Sequence, residues 1–227
     1  MYSKPQVDVK DARVLAELVR ARLALYGFVL AVFDKPSAEQ YAWLSGNEFA
    51  ATFRELCDRF GVEAPGGEVI EWSADDHEST YLACFEVGLP TPKVVLQASH
   101  HNRRAPAPRT IHEHERLYRL FGAQRTRSNL DQQDHLLNEL AFLVHLDELV
   151  LGGAVDLTAI LRARRDFVGR YVRDHVGSAL RSSRTAGVPR LYSVALALLA
   201  SALDEDFALS EAWLGSEAIA LDTGAEG

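Results

Sequence analysis

The sequence has little that marks a catalyst or a carrier. Of its 227 residues only Cys57 and Cys84 are cysteines, and their spacing fits neither a metal clip nor a redox CxxC pair. Each lies in an amphipathic segment, residues 54–60 and 81–87, so both read as buried free thiols in a reducing compartment. Long apolar runs are also missing. Residues 23–33 are interrupted by Tyr26 and Gly27, and residues 192–203 are too few to span a bilayer. The first residues, MYSKPQVDVKDARV, contain no apolar signal region and no cleavage pattern. A soluble, cytoplasmic protein is expected. Positive charge is in deficit: 24 Lys and Arg stand against 32 Asp and Glu, for a net charge of -8. That balance argues against a nucleic-acid backbone as partner and favours a basic one. There is no glycine-rich phosphate loop, no GxSxG elbow and no internal repeat.

What is present is helical periodicity on a chain that is 48% apolar, enough to bury a core without staples. Val14, Leu15, Leu18, Val19, Leu23, Leu25, Val29, Leu30 and Phe33 recur at three- and four-residue steps, with Asp11 as a candidate cap and Pro36 as a stop. Ser37 caps a short helix to Leu44, and Gly61 ends another over residues 48–60. A fourth helix opens at Ser73 and stops at Gly88. Residues 89–108 hold four prolines and the cluster SHHNRR, so loop is expected there, with Val94, Val95 and Leu96 as a lone extended stretch. Thr110 and Glu113 form a capping box for a helix to Phe121. Residues 131–151 make the longest clean helix of the second half. Asp156 caps a helix over residues 157–176 with an arginine-rich outer face. Residues 177–189 read as a short helix or loop, and residues 190–203 as a helix. A turn at 204–207 and a short helix or tail over 210–220 complete the chain. The class is all-α: helical subdomains at residues 1–123 and 131–221, a hinge linker at 124–130, and a disordered tail at 222–227.

Three constellations carry chemistry. On the helix from 131, Leu136, Leu137, Leu140, Leu143, Val144, Val150 and Leu151 form the core stripe at about 100° per residue. Asp131, His135, Glu139, Phe142 and Leu146 form an adjoining stripe. It reads either as a groove wall for an amphipathic basic peptide or as helix caps plus a half-exposed His–Glu pair. Asp147 falls in the core stripe and needs a partner, for which an arginine of the following helix is the candidate. The second constellation is His100, His101, His112 and His114. His112 and His114, two apart on a helix, point to different faces, which is poor spacing for a metal pair; a metal-dependent hydrolase on this cluster is the alternative it leaves. The third is a basic patch with Arg103, Arg104, Arg109, Arg116, Arg119, Arg125 and Arg127. It can pair with carboxylates or, through Arg103 and Arg104, contact a nucleotide or cofactor phosphate, so a helical guanine-nucleotide-binding regulator is a further alternative.

The run Asp131-Gln132-Gln133-Asp134-His135, followed by Glu139 and Phe142, resembles the Glu-Pro-x-Asp-His signature of the TorD/DmsD/NarJ redox-enzyme maturation chaperones. Asp131 replaces the glutamate and Gln132 the proline, which removes a rigid hinge residue. Asp34-Lys35-Pro36 after the first helix, Glu78–Leu82 with Phe85-Glu86-Val87-Gly88, the run from Ala98 to Arg104, Leu117-Tyr118 and Phe121-Gly122 extend the likeness over residues 10–205. The run from Ala98 to Arg104, with Leu117-Tyr118 and Phe121-Gly122, looks like the branch that serves type II dimethyl-sulfoxide-reductase-like enzymes acting on ethylbenzene, dimethyl sulfide, selenate or chlorate. The resemblance implies a helical bundle of two subdomains joined by a hinge, and a chaperone rather than an enzyme. It implies binding of a molybdenum-containing catalytic subunit, or of its twin-arginine leader, while molybdopterin guanine dinucleotide is inserted. The chaperone itself would hold no cofactor stably and would be a monomer or a domain-swapped dimer. Tyr81, Phe85, Tyr118, Phe121, Asp131, Asp134, His135, Glu139 and Phe142 would then contact the client or form the hinge.

Overall fold

The structure is a computed structural model, and it describes residues 12–102, 105–123, 133–153 and 156–223. Asp11, Arg103, Arg104, Arg125, Arg127, Asp131, the linker at 124–130 and most of the tail expected at 222–227 lie outside the described residues. The helices are α1 (Ala12–Val32), α2 (Ala38–Leu44), α3 (Asn47–Phe60), α4 (His77–Phe85), α5 (Ala98–His101), α6 (Ala107–Leu120), α7 (Leu136–Gly152), α8 (Leu157–Phe167), α9 (Arg173–Thr185) and α10 (Arg190–Thr223). A π-helical turn, Val168–Val172, joins α8 to α9. Among the described residues β pairing is limited to an isolated bridge between Gln97 and His135, so the all-α class holds.

Local chemistry sets several of these ends. The Ser37 hydroxyl accepts the Gln40 N–H at 3.1 Å and starts α2. Gly61 closes α3 at φ 64, a left-handed conformation that favours glycine. The Asp156 carboxylate accepts the Ala159 N–H at 3.2 Å and starts α8. Several boundaries differ from the pattern of the sequence: α4 begins at His77, not at Ser73, α5 interrupts the stretch expected as loop, and α7 begins at Leu136 after a turn, not at residue 131. Thr110 does not cap α6: the helix begins at Ala107 after Pro106, and Thr110 is buried inside it. Gly177 does not end a helix, because α9 runs through it to Thr185. The expected turn at residues 204–207 is continuous helix within α10. Its polar residues look inward or sideways instead of marking a bend. Asp206 is buried, and Asp204 accepts a hydrogen bond from Arg173 Nε at 2.8 Å.

α1 lies along α7, and α10 packs on α8, α9, α1 and α3. One hydrophobic core holds Phe33, Phe53 and Phe85 from the first half together with Leu140, Phe167 and Tyr192 from the second. Where α10 crosses the π turn, a Cβ on Gly169 would stand 2.7 Å from the Phe207 ring, so any larger residue there would have to push that ring aside.

The middle of the bundle is ionic. Arg164 is fully buried, not on the outer face of its helix as the arginine pattern implied. Its Nε donates to both Asp206 oxygens at 2.9 and 2.8 Å. Its Nη1 reaches the Leu143 carbonyl at 3.0 Å and Asp147 at 3.1 Å. Arg22 of α1 bridges the same two carboxylates, at 2.7 Å to Asp206 and 2.9 Å to Asp147. The Tyr26 hydroxyl donates to Asp206 at 3.0 Å. Asp147 therefore has its arginine from the following helix, plus one from α1 that the pattern did not reveal. Burial alone would raise the Asp206 pKa, but the two guanidinium groups hold it below the ordinary value.

Two arginines against two aspartates leave the cluster neutral, so removal of one member strands a buried charge. Arg164→Ala is expected to lower unfolding free energy in urea by about 3–5 kcal/mol. Exposed Arg162→Ala on the same helix is the control and should stay within about 0.5 kcal/mol.

Candidate functional site

The polar run of the motif opens α7. His135 is its N-cap, with extended backbone and its Nδ1 accepting the Leu137 N–H at 3.2 Å. The extended stretch before α5 pairs with this entry. Leu136 N–H donates to the Leu96 carbonyl and Ala98 N–H to the Asp134 carbonyl, both at 2.8 Å. The Asp134 side chain accepts the Ser99 N–H at 2.7 Å, so it ties α5 to the start of α7 instead of capping α7 itself. Tyr118 of α6 donates to the Gln133 carbonyl at 2.9 Å.

One turn into α7 sits Glu139, fully buried. One of its oxygens meets His114 Nε2 of α6 at 2.9 Å and the other meets His175 Nδ1 of α9 at 2.7 Å. His114 Nδ1 faces the Thr110 carbonyl at 2.8 Å. A carbonyl and a carboxylate only accept, so both His114 nitrogens carry protons and the ring is a cation. Burial opposes that charge, but Glu139 overrides it and the His114 pKa is raised. Burial likewise opposes the Glu139 anion, yet His175 and His114 bring its pKa down to about 2. His101 stacks on His175 with ring centres 5.2 Å apart and its Nε2 meets the Val95 carbonyl at 2.9 Å. Burial pushes His101 down to about 4, so at neutral pH it is uncharged. Two buried atoms here, Asp134 Oδ1 and His175 Nε2, have no hydrogen-bond partner among the described residues.

The structure thus brings together Tyr118, Asp134, His135, Glu139 and Phe142 but buries all five. The stripe read as a groove wall is not an open surface in this conformation, because α6 and α9 cover it. Phe142 packs on Tyr118 at 4.8 Å and on Phe167 at 5.0 Å. Tyr81 and Phe85 are elsewhere: their ring contacts are with each other, Phe33 and Tyr192. Only Phe121 is half exposed. Asp131, Arg103 and Arg104 lie outside the described residues. The histidine cluster does not gather either. His114 is taken by Glu139, His101 by Val95 and His175, while His100 and His112 are exposed. Among the described residues no group of three or more candidate ligands could hold a metal ion. His175 was missed, although it shares an apolar stripe with Val168, Val172, Val176 and Ala179, all buried, and a histidine in such a stripe needs a buried partner.

Two depressions flank this network and meet at Arg170 and Tyr171. A cavity of about 170 Å³ lies over His101, Asn102, Asp174 and His175. A groove of about 370 Å³ lies between α6 and α8, with Leu117, Leu120, Phe121, Ala159 and Ala163 as its apolar surface and Glu113 and Asp166 as acids. Leu120 is 72% exposed. The Tyr171 hydroxyl donates to Glu113, and its ring contacts His114 at 4.6 Å, so the buried network supports the groove wall.

The chain is similar to the dimethyl sulfide dehydrogenase assembly chaperone protein of Rhodovulum sulfidophilum, 36% identical over 107 residues that cover 43% of this chain and 43% of the relative. It is also similar to the selenate reductase assembly chaperone protein of Thauera selenatis, 31% identical over 98 residues, 42% of this chain and 51% of the relative. The matched stretch is about half of each relative or less. No family model matches the chain, and no solved structure matches it. The two relatives are assembly chaperones of the kind that the motif resemblance names, and dimethyl sulfide and selenate are among the substrates of that branch's clients.

Linkage gives the network an acid limit. The folded Glu139 value of about 2 lies below its ordinary 4.5, so its stabilisation is present above 4.5 and is lost as pH falls through about 2. The folded His101 value of about 4 lies below 6.5, so stability starts to fall below 6.5 and continues toward 4. His114 is raised; its contribution is full below 6.5 and is lost as pH rises through the folded value. Urea midpoints measured against pH should therefore fall on both sides of a maximum. Glu139→Gln should cost about 3 kcal/mol or more at neutral pH and flatten the alkaline limb, because His114 then has no anion to hold its proton.

Proposed function

We propose that this protein is an assembly chaperone for the molybdenum-containing catalytic subunit of a dimethyl-sulfoxide-reductase-family enzyme. The observation that carries the reading is its similarity to two assembly chaperones, neither of which is named as a catalyst. The geometry agrees with a binder. The polar residues of the motif are consumed in holding α5, α6, α7 and α9 together, and what they support is an apolar groove edged by two carboxylates, Glu113 and Asp166, and two arginines, Arg116 and Arg170. Such a groove suits an amphipathic client segment, and the chain's net charge of -8 favours one with basic groups.

In this reading the client's twin-arginine leader is the segment held, in the cytoplasm, until the client's molybdopterin guanine dinucleotide is in place. The chaperone keeps no cofactor of its own. No helix of the described residues is long and apolar enough to cross a membrane. Tyr118, Asp134, His135, Glu139 and Phe142 act from behind, by fixing the groove wall, and Phe121 contacts the client directly.

Exposed Leu120 tests the groove without disturbing the core. Leu120→Glu should leave stability within about 0.5 kcal/mol and weaken capture of the purified catalytic subunit, leader attached, by about tenfold or more. Calorimetry on the same pair reads the loss. Full capture by folded Leu120→Glu would remove the groove from the reading. Normal cofactor content of the molybdoenzyme in cells deleted for the chaperone would remove the reading itself.

A further inference from the structure

The corner where α1, α2 and α4 meet is closed by a chain of hydrogen bonds that runs in one direction. His77 opens α4 and is 3% exposed. The Trp72 indole N–H meets its Nδ1 at 3.0 Å, and the two ring planes differ by 5°. An indole N–H only donates, so His77 Nδ1 carries a lone pair. His77 Nε2 lies 3.0 Å from Gln40 Oε1. The Gln40 amide cannot be turned over, because its Nε2 lies 2.8 Å from the Ala31 carbonyl and 3.1 Å from the Asp34 carbonyl, and carbonyls only accept. Gln40 Oε1 therefore needs a donor, and the proton of the neutral ring sits on His77 Nε2.

That ring has no place for a second proton. It would go to Nδ1, where a new N–H would face an indole N–H that cannot accept it. Burial pushes the His77 pKa below 6.5. The charged side chains of the elements around it do not offset this. Asp75, Asp76 and Glu78 beside it, Glu71 beside Trp72, Glu39 on α2 and Lys35 after α1 are all exposed, and the Asp34 carboxylate accepts the Lys35 N–H at 2.8 Å. Tyr41, whose ring is 5.4 Å from His77, donates its hydroxyl to the Trp72 carbonyl at 3.2 Å. Trp72 in turn lies on the Tyr192 ring at 5.6 Å. Tyr192 is buried against Phe33, Tyr81 and Phe85, and its hydroxyl has no hydrogen-bond partner among the described residues. Water reaching that hydroxyl would relieve the cost of leaving it unpaired. Buried Val69 and Ile70 anchor the chain just before Trp72, while residues 73–76 after it are exposed. Trp72 can therefore swing without unfolding the core.

We propose that His77 is an acid-sensitive latch. Neutral, it holds Trp72 over Tyr192 and ties the start of α4 to the end of α1. Protonated, it lets Trp72 swing away and opens the cluster of Phe33, Tyr81, Phe85 and Tyr192 to solvent. The latch shares no residue with the groove between α6 and α8, so it operates whatever fills that groove. The closed corner binds fewer protons than the open one, so closure is complete above 6.5 and weakens as pH falls. At pH 5.5, one unit below the ordinary histidine value, linkage limits the gain in open population to about tenfold.

NMR on the full chain reads the latch directly. At about pH 7.5, well above the ordinary histidine value, the His77 ring should carry a proton on Nε2 and none on Nδ1. The Trp72 indole N–H signal is identified by its loss in Trp72→Phe. Its protection against solvent exchange should fall severalfold between that pH and about 5.5, with about tenfold as the limit. Helical circular dichroism and the protection of the Leu198 amide, buried in α10, should hold over the same range. His77→Gln keeps an acceptor for Trp72 and a donor for Gln40 but has no proton to gain here, so the loss of Trp72 protection should vanish. Trp72→Phe removes the opposing donor, and the His77 pKa should rise in that variant. A proton on Nδ1 at the upper pH, a change in Trp72 protection under about twofold, an equal change in His77→Gln, or an equal loss at Leu198 would each overturn the latch. Should His77→Gln fail to fold, the Trp72→Phe titration decides, and an unmoved His77 pKa overturns it.

Discussion

Two carboxylates buried on one helix govern the arrangement of the rest. Glu139 and Asp147 both lie on α7 at 0% exposure, eight residues and therefore about 12 Å apart along the axis. Neither can stay ionised in a core without a partner. Glu139 draws His114 from α6 and His175 from α9. Asp147 draws Arg22 from α1 and Arg164 from α8, and through them Asp206 from α10. Five helices thus take their position from one, and each is placed by a charge requirement that apolar packing alone would not impose. A leucine at 139 would accept neighbours in many registers, whereas a carboxylate there accepts only the register that puts an imidazole N–H within hydrogen-bond reach of each oxygen.

That arrangement changes the meaning of the motif at the head of α7. Its residues do not form a surface; they form the back of one. Tyr118 pins residue 133, Asp134 pins Ser99, and His114 touches both Glu139 and the Tyr171 ring. Tyr171 is shared by the groove and the cavity. A change at Glu139 therefore reaches the groove through a continuous chain of contacts, although Glu139 itself meets no solvent.

Much of the helical framework was legible because its signals are local. Ser37, Gly61 and Asp156 act on residues within a turn, and the structure places them at the helix ends their chemistry predicts. The failures share a cause. Thr110, Gly177 and the acidic run at 204–207 looked like breaks because polar or small residues usually sit outside helices. Here side-chain partners set the roles of Thr110 and of the acidic run: His114 and Asn102, 4 and 8 residues away, for Thr110, and Arg164 and Arg173, 42 and 31 residues away, for Asp206 and Asp204. The same holds for the site. The spacing of His135, Glu139 and Phe142 showed that they share a stripe, but a stripe does not declare what covers it. The expected half-exposed pair of His135 with Glu139 gives way to a buried triad in which His114 and His175 hold Glu139, while His135 caps α7; His175 lies on a helix whose full length the pattern does not show. Tyr81 and Phe85 were joined to the site by likeness of motif order, and the fold places them in a separate aromatic cluster around Tyr192.

The contrast between the back and the front of the wall bears on how a binder can both hold and release. Behind Tyr171, His114 and Glu139 are both at 0% side-chain exposure, and their bond can open only if the core does. In front, the ion pairs bordering the groove are wet: Arg109 and Glu113 are 70% and 29% exposed, and Arg170 and Asp166 are 68% and 44%. Exposed pairs of this kind are worth about 1 kcal/mol or less and exchange with solvent or with an arriving ligand at little cost. On the proposed reading, a client segment entering the groove would compete with weak surface pairs, while the geometry it meets would stay fixed by strong buried ones. Affinity would then be set at the exchangeable face and specificity at the rigid one, and the two faces meet at Tyr171, which donates to Glu113 in front and contacts the His114 ring behind.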